Sequence, residues 1–130
     1  MDGLIIKKEW LDLILKGKKT LEIRGHDTKK LDEPIYLLES GSHRIRAICK
    51  IDATFPISCS DWHEEMHNHC VNISYKELKT IYSNPYAWIL KEVEPIEDIW
   101  HYAHPKGAVI WVKNVSPIEE MQDERIRYGY

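Results

Sequence analysis

Cysteine is scarce in this 130-residue sequence, and the chain also lacks long apolar runs. Its three cysteines, Cys49, Cys59 and Cys70, are an odd number with no paired spacing, which favours free thiols in a reducing compartment. The longest uncharged apolar runs are far shorter than the ~20 residues that span a bilayer. No segment has the charged start, apolar stretch and cleavage site of a secretory signal. We therefore expect a cytoplasmic protein with no membrane partner.

Glycine and proline are also few, at six residues each, which excludes collagen-like and low-complexity chains. An excess of positive charge is missing too: 18 basic residues stand against 21 acidic ones, a net charge of −3. This balance excludes a nucleic-acid binder that is basic over its whole surface. The length and the hydrophobic fraction of 43% fit one folded domain over residues 1–130.

Positive charge is concentrated locally in residues 16–30, which hold six basic and two acidic residues, a net charge of +4. The part of the chain after residue 50 is net acidic. A polyanion is therefore expected to bind first at residues 16–30.

Hydrophobic periodicity predicts about six strands with short helices between them. A helix over 9–16 should end at Gly17, and alternation over 20–24 should bury Leu21 and Ile23. A second helix over 61–70 should be capped by Ser60 or Asp61, and a third should begin at Ser74. The predicted strands are 4–6, 20–24, 35–39, 44–55, 86–93 and 108–113, and an acidic tail covers 116–130.

This pattern favours an α+β fold, a small mixed β-barrel of about six strands with short flanking helices. The strands are too few, and the helices too irregularly placed, for a doubly wound parallel sheet. A phosphate-cradling glycine loop is absent from the sequence.

The strand over 20–24 carries the most specific group of polar side chains. Thr20, Glu22 and Arg24 alternate with the apolar residues and so share one face, and Lys19 lies at the turn beside them. The alternative interpretation is a solvated strand face with an exposed Glu22–Arg24 pair, worth ~0–1 kcal/mol.

The stretch from Gly17 to Arg24, after a helix that carries Trp10, resembles the signature of the ASCH domain, a branch of the PUA-like superfamily. The resemblance extends over residues 4–113 and implies a PUA-like β-barrel with a cleft lined by the signature. Related domains bind RNA or modified nucleosides. The resemblance thus implies an RNA, nucleoside or nucleotide partner and no cofactor. It also implies a ligand site of Trp10, Lys19, Thr20, Glu22 and Arg24. Trp10 is the first stacking candidate and Trp88 the second.

Catalysis is the alternative function, with Lys19 and Glu22 as the candidate catalytic residues. One ASCH group hydrolyses N4-acetylcytidine with a Lys, a Thr and a Glu. Lys19 matches the catalytic Lys of that group. Glu22 occupies the position of its catalytic Thr, and Val71 occupies the position of its catalytic Glu. Turnover would therefore need Glu64 or Glu65 as the carboxylate and a different nucleophile. Other ASCH proteins are described as ribonucleases that use Tyr, Lys and Ser, and only Lys19 matches that set. We therefore expect binding without catalysis.

A histidine-rich segment gives a third alternative, a metal-binding or protein-interaction module. His63 and His67 are four residues apart and would share one face of a helix, where Cys59 or Cys70 would complete a zinc site. The segment also fits His-Glu-x-x-His. A protease of that type needs a long helix, a distant third ligand and a larger domain. We therefore expect a solvated helix and no metal.

Overall fold

A computed structural model describes residues 1–119, and its centre is a curled mixed sheet that forms a half-barrel. The strands are β1 (Gly3–Ile6), β2 (Leu21–Arg24), β3 (Ile35–Glu39), β4 (Arg44–Pro56), β5 (Tyr86–His101), β6 (Trp111–Val112) and β7 (Ile118–Glu119). Their order is β2-β5-β4-β3-β1-β6, and β7 pairs with β5. Only the β1–β3 pair is parallel among the described strands. The predicted α+β class, with a barrel-like mixed sheet, is confirmed.

Four short helices flank the sheet: α1 (Lys8–Leu15), α2 (Cys59–Glu64), α3 (Met66–His69) and α4 (Tyr75–Ile81). Helix α1 is followed by Gly17 at φ +76°, a left-handed conformation that glycine adopts without strain. The Ser74 side chain accepts from the Glu77 amide at 3.1 Å, which confirms the predicted start of α4. Within residues 1–119, the helices are all too short or too polar to cross a membrane.

The helix predicted over 61–70 is wrong in both its continuity and its cap. Helices α2 and α3 are separated at Glu65, whose φ of −96° and ψ of 14° leave the helical range. Ser58, rather than Ser60 or Asp61, caps α2, because it exchanges two hydrogen bonds with Asp61, each of 3.1 Å.

The late strands also differ from the prediction. Strand β5 continues past residue 93 to His101, because β4 pairs with it along its whole length and register shifts absorb the irregularities. The sequence did not predict the continuation after residue 93, because Pro95 and its acidic neighbours are uncommon in strands. The strand predicted over 108–113 shrinks to β6, which follows a turn with Gly107 at φ +83°. Strand β7 forms in the predicted tail, and residues 120–130 lie outside the described residues.

The core lies on both faces of the curled sheet. Leu11 and Ile14 of α1 lie three residues apart and pack on one face. Leu21 and Ile23 are buried as predicted, in a cluster with Trp62 and neighbouring apolar side chains. This last cluster holds α2 and α4 against the end of β2, the strand that carries the polar signature.

The three thiols are free, and their reactivity should differ with burial. Cys49 is buried in β4, and burial raises its pKa to about 12, so its thiolate is scarce at neutral pH. We expect a thiol reagent at pH 8 to modify Cys59, which is exposed, and Cys70, which is half-buried, while sparing Cys49. Mass spectrometry of the native and the urea-denatured protein checks this. Modification of Cys49 as fast as Cys59 in the native protein would contradict it.

Candidate functional site

A cavity of about 450 Å³ opens where α1, β2 and α4 meet. We call it the Trp10 cavity. Its polar lining residues are Lys7, Glu9, Trp10, Lys19, Glu22, Arg24, Ser40 and Tyr82, and its apolar ones are Ile5, Ile23, Val71, Ile73, Leu78, Ile81 and Val109.

The structure brings four of the five predicted site residues together in this cavity: Trp10, Lys19, Glu22 and Arg24. Thr20 lies outside it and is exposed. The Thr20 amide donates to the Asn68 carbonyl at 2.9 Å, and its own carbonyl accepts from the Leu90 amide at 2.9 Å. Thr20 therefore anchors the backbone, and Lys19, expected at the turn beside the polar face, lines the cavity together with Glu22 and Arg24.

Trp88, the second stacking candidate, is a core residue. Its side chain is fully buried, and its indole N–H donates to the His26 carbonyl at 3.0 Å. Trp10 is only partly buried, as expected for a residue that presents a ring to a cavity.

Glu22 is the centre of a buried charge network. Its Oε2 accepts from Arg24 Nη2 at 2.8 Å and from Arg24 Nε at 3.2 Å, and its Oε1 lies 3.8 Å from Lys19 Nζ. Arg24 Nη2 also donates to the Ile5 carbonyl at 2.8 Å. One carboxylate thus faces two cations at the closed end of the cavity. The interpretation of an exposed strand face with a weak ion pair is therefore wrong, since Glu22 is only 4% exposed.

Lys19 is held on three sides at this end of the cavity. Its ammonium donates to the His69 carbonyl at 2.5 Å and lies 5.1 Å from the centre of the Trp10 ring. Only 2% of the residue is exposed. Burial lowers the pKa of Lys19, and the nearby Glu22 carboxylate opposes this change. A lysine kept in such a place is costly to the fold, which is typical of a functional residue.

The His69 carbonyl is positioned by the side chain of the same residue. The buried His69 ring stacks on Trp62, with 3.7 Å between ring centres. His69 Nδ1 accepts from the Val71 amide at 3.0 Å, so Nε2 carries the proton and donates to the Trp62 carbonyl at 2.8 Å. This arrangement requires a neutral ring, and burial lowers the pKa of His69 accordingly.

The open side of the cavity is apolar. Ile81 and Val109 lie at its rim and are 61% and 79% exposed. Such exposed aliphatic side chains beside a cavity are available to pack on a ligand. The local pattern predicts neither of them, nor Tyr82 or Ser40, because it does not show that α4, the turn after β3 and the loop before β6 meet β2.

The predicted cationic segment, residues 16–30, is divided in the structure. Lys19 and Arg24 face Glu22, and Lys30 pairs with Asp2 at 2.5 Å. Lys16, Lys18 and Lys29 are exposed and form no ion pair with the described residues. The surface available to phosphates is therefore smaller than the net charge of +4 suggested.

The histidine-rich segment does not have the geometry that a metal site requires. The break at Glu65 separates His63 on α2 from His67 on α3, so they do not share the face of one helix. Among residues 1–119, no group of three or more His, Cys, Asp or Glu side chains is arranged to hold a metal ion.

Comparison with known proteins identifies the family. The family model of the ASCH domain matches residues 4–100. The chain belongs to the ASCH domain family. This result confirms the resemblance that the Gly17–Arg24 signature indicated. No curated protein matches this ASCH sequence.

Solved structures of ASCH from Zymomonas mobilis share the fold. That protein is 17% identical with a TM-score of 0.60, and the match covers 75% of this chain and 71% of that chain. A serine-to-alanine variant gives the same identity and score over 74% and 70% of the two chains. A tyrosine-to-phenylalanine variant is 16% identical with a TM-score of 0.59 over 99% and 82%. The fold of this ASCH protein is thus PUA-like.

The positions that the resemblance assigned to catalysis converge in this ASCH cavity. Lys19, Glu22 and Val71 all line it, whereas Glu64 and Glu65 do not. The proposed replacement of the missing carboxylate by Glu64 or Glu65 is therefore not supported by the geometry. Two residues with hydroxyl groups, Ser40 and Tyr82, line the same cavity as Lys19.

Proposed function

We propose that this ASCH protein binds an unpaired RNA base, or a free nucleoside or nucleotide, in the Trp10 cavity. The observation that carries the proposal is one cavity in which a partly exposed tryptophan lies beside a buried lysine and a buried carboxylate. Its volume falls within the range of about 300–1,000 Å³ usual for small-molecule sites. ASCH membership and the PUA-like fold support the same class of partner.

The closed end of the cavity offers a donor next to an acceptor. One Lys19 N–H bonds the His69 carbonyl, which leaves others for a ligand, and Glu22 Oε1 lies 3.8 Å away. Cytosine and adenine each present a ring-nitrogen acceptor beside an exocyclic amine donor on their Watson–Crick edge. Lys19 would donate to the ring nitrogen and Glu22 would accept from the amine.

The Trp10 ring and the apolar rim would hold the flat faces of the base. Stacking on an aromatic side chain contributes ~1–3 kcal/mol per base. The exposed Lys16, Lys18 and Lys29 would contact a few phosphates. We therefore expect weak binding of single-stranded RNA, with a log–log salt slope of about −1 to −3, since each contact contributes roughly 0.7.

The direct test replaces Lys19 by methionine, and Lys18→Met is the matched control. Lys19→Met removes the buried donor while Glu22 keeps its two bonds from Arg24, and circular dichroism checks that the variant is folded. We expect about 10- to 100-fold weaker binding of nucleoside monophosphates and short RNA, the loss of one charged hydrogen bond. Lys18→Met, at an exposed position outside the cavity, should reduce affinity only through its charge. Isothermal titration calorimetry measures both. Equal affinities of Lys19→Met and the parent would overturn the proposal.

Hydrolysis is a second candidate function, which the lowered pKa of Lys19 favours because it makes the neutral amine more accessible as a base. The hydroxyls of Ser40 and Tyr82 in the same cavity would be available to a reacting group. Because Glu22 and Val71 stand at the Thr and Glu positions, we expect no acetate release from N4-acetylcytidine. Product formation from N4-acetylcytidine or RNA that disappears in Lys19→Met would favour an enzyme.

A further inference from the structure

A second cavity, of about 410 Å³, lies beside the Trp10 cavity along the same two elements. We call it the Tyr86 cavity. The segment around β2 gives Lys19, Glu22, Ile23 and Arg24 to the first cavity, and the residues directly after β2, 25–27, line the second. In the same way, α4 gives Leu78 and Ile81 to the first cavity and Tyr75 and Lys79 to the second.

Only a narrow ridge separates the two cavities. Tyr82, in the first cavity, packs directly on Gly25, in the second: a Cβ at Gly25 would lie 2.5 Å from the Tyr82 ring. Across the β2–β5 pair, Arg24 of the first cavity is the register partner of Tyr86 of the second. Register partners in an antiparallel pair are about 4.5–5.5 Å apart at Cα. The two cavities are therefore close enough for adjoining units of one ligand.

The Tyr86 cavity has the side chains that a nucleotide uses. Tyr75 and Tyr86 line this cavity and are half-buried, and the Tyr75 hydroxyl donates to the Ile57 carbonyl at 2.9 Å. His26 is exposed, with its ring edge-on to Trp88. The Lys79 ammonium donates once, to the Ser83 carbonyl at 2.5 Å, and keeps two N–H groups.

The one carboxylate at the edge of this cavity, that of Asp27, is already engaged. It accepts from the Thr54 hydroxyl at 2.5 Å and from the Thr28 amide at 2.7 Å. Both bonds are made to Oδ1, and Asp27 forms no ion pair with Lys79 in the described part of the chain. An ammonium with two remaining N–H groups beside two aromatic residues suits a phosphate followed by a base.

We propose that the Tyr86 cavity is the subsite for the neighbouring nucleotide of an RNA strand whose first base occupies the Trp10 cavity. The inference rests on the proposed function. Lys79 meets the connecting phosphate, and the second base stacks on Tyr86. The protein thus recognises a dinucleotide step rather than an isolated nucleoside.

The experiment compares nucleoside monophosphates with the full set of ribodinucleotides by calorimetry. We expect the best dinucleotide to bind at least about tenfold more tightly than its better mononucleotide, the gain from one stacked base. Tyr86→Leu should remove this gain and Tyr86→Phe should keep it, since the ring is retained. Lys79→Gln should also reduce it and lower the salt slope by about 0.7. Lys76→Gln, an exposed lysine of the same helix outside both cavities, should not. None of these variants should change mononucleotide affinity by more than about twofold.

The outcomes separate the two proposals. Lys19-dependent mononucleotide binding with no gain for any dinucleotide overturns the second subsite and leaves the proposed function intact. A gain that survives both Tyr86→Leu and Lys79→Gln also overturns it, because the second nucleotide then lies elsewhere. Absence of any Lys19-dependent binding overturns the proposed function and, with it, this inference.

Discussion

Replacing Glu22 by glutamine is expected to destabilise the protein by about 3–5 kcal/mol. The substitution leaves Lys19 and Arg24 buried beside each other with no carboxylate between them. Each cation would then keep its desolvation cost without its counter-charge, and they would repel each other. Urea denaturation at pH 7, followed by tryptophan fluorescence, measures the change in the free energy of unfolding.

This destabilisation should diminish as the pH rises toward 10. The pKa of Lys19 lies below its usual 10.5 in the folded protein, and loss of the Glu22 charge lowers it further. Between the folded pKa and 10.5 the unfolded chain binds more protons, so stability rises with pH there, and it does so over a wider pH range in the variant. The part of the penalty that comes from Lys19 is complete below its folded pKa and disappears above 10.5, whereas the part that comes from Arg24 remains, because the guanidinium stays charged.

Glu97→Gln is the matched control, because Glu97 is an exposed glutamate on β5. It should change stability by less than about 0.5 kcal/mol at any pH. A Glu22→Gln variant as stable as Glu97→Gln would show that the buried charges of Lys19 and Arg24 do not depend on the carboxylate.

Trp62→Ala should cost about 3–5 kcal/mol and should also disrupt the polar end of the Trp10 cavity. The Trp62 side chain is fully buried, its indole N–H donates to the Ile73 carbonyl at 2.8 Å, and its ring supports His69. Its loss would release the segment from Ser58 to Ile73 that holds Lys19. Hydrogen exchange should therefore increase most in this segment, and ligand affinity should fall with it.

Trp10→Ala provides the comparison, since that ring is only partly buried. It should destabilise the protein less than Trp62→Ala and leave hydrogen exchange in 58–73 close to the parent. Ligand binding should nevertheless weaken, by the stacking contribution of ~1–3 kcal/mol. Equal exchange profiles for the two variants would contradict the supporting role of Trp62.

Local patterns were sufficient for the elements that build the polar end of the site. Alternation placed Leu21 and Ile23 in the core, and the signature gave the family and three charged cavity residues. Thr20 was expected beside Glu22 and Arg24 at the site, but it lies outside the cavity, whereas Lys19 lines the cavity and donates to the distant His69 carbonyl.

The rest of the site depends on tertiary contacts that carry no local signal. Val109 was expected in a strand, but it lies on the loop before β6 and reaches the cavity rim. Tyr82 contributes because Gly25, far away in sequence, leaves room for its ring. The predicted strand over 86–93 was shorter than β5 because Pro95 is unusual inside a strand. It is tolerated here at a register shift, which becomes visible only in the pairing with β4.

The hydrogen bond from Lys19 to the His69 carbonyl spans 50 residues of sequence and sets the order in which the site can be completed. Closing so long a loop costs more conformational entropy than forming a local helix or hairpin. Strands β1, β3 and β4 can pair while the segment from Ser58 to Ile73 is still open. Strand β2 pairs with β5, which follows this segment in the chain, so Lys19 then remains hydrated. Recognition of a ligand at the polar end therefore arises late in folding, once this segment has docked. Partial opening of the same segment would release a ligand without unfolding the sheet.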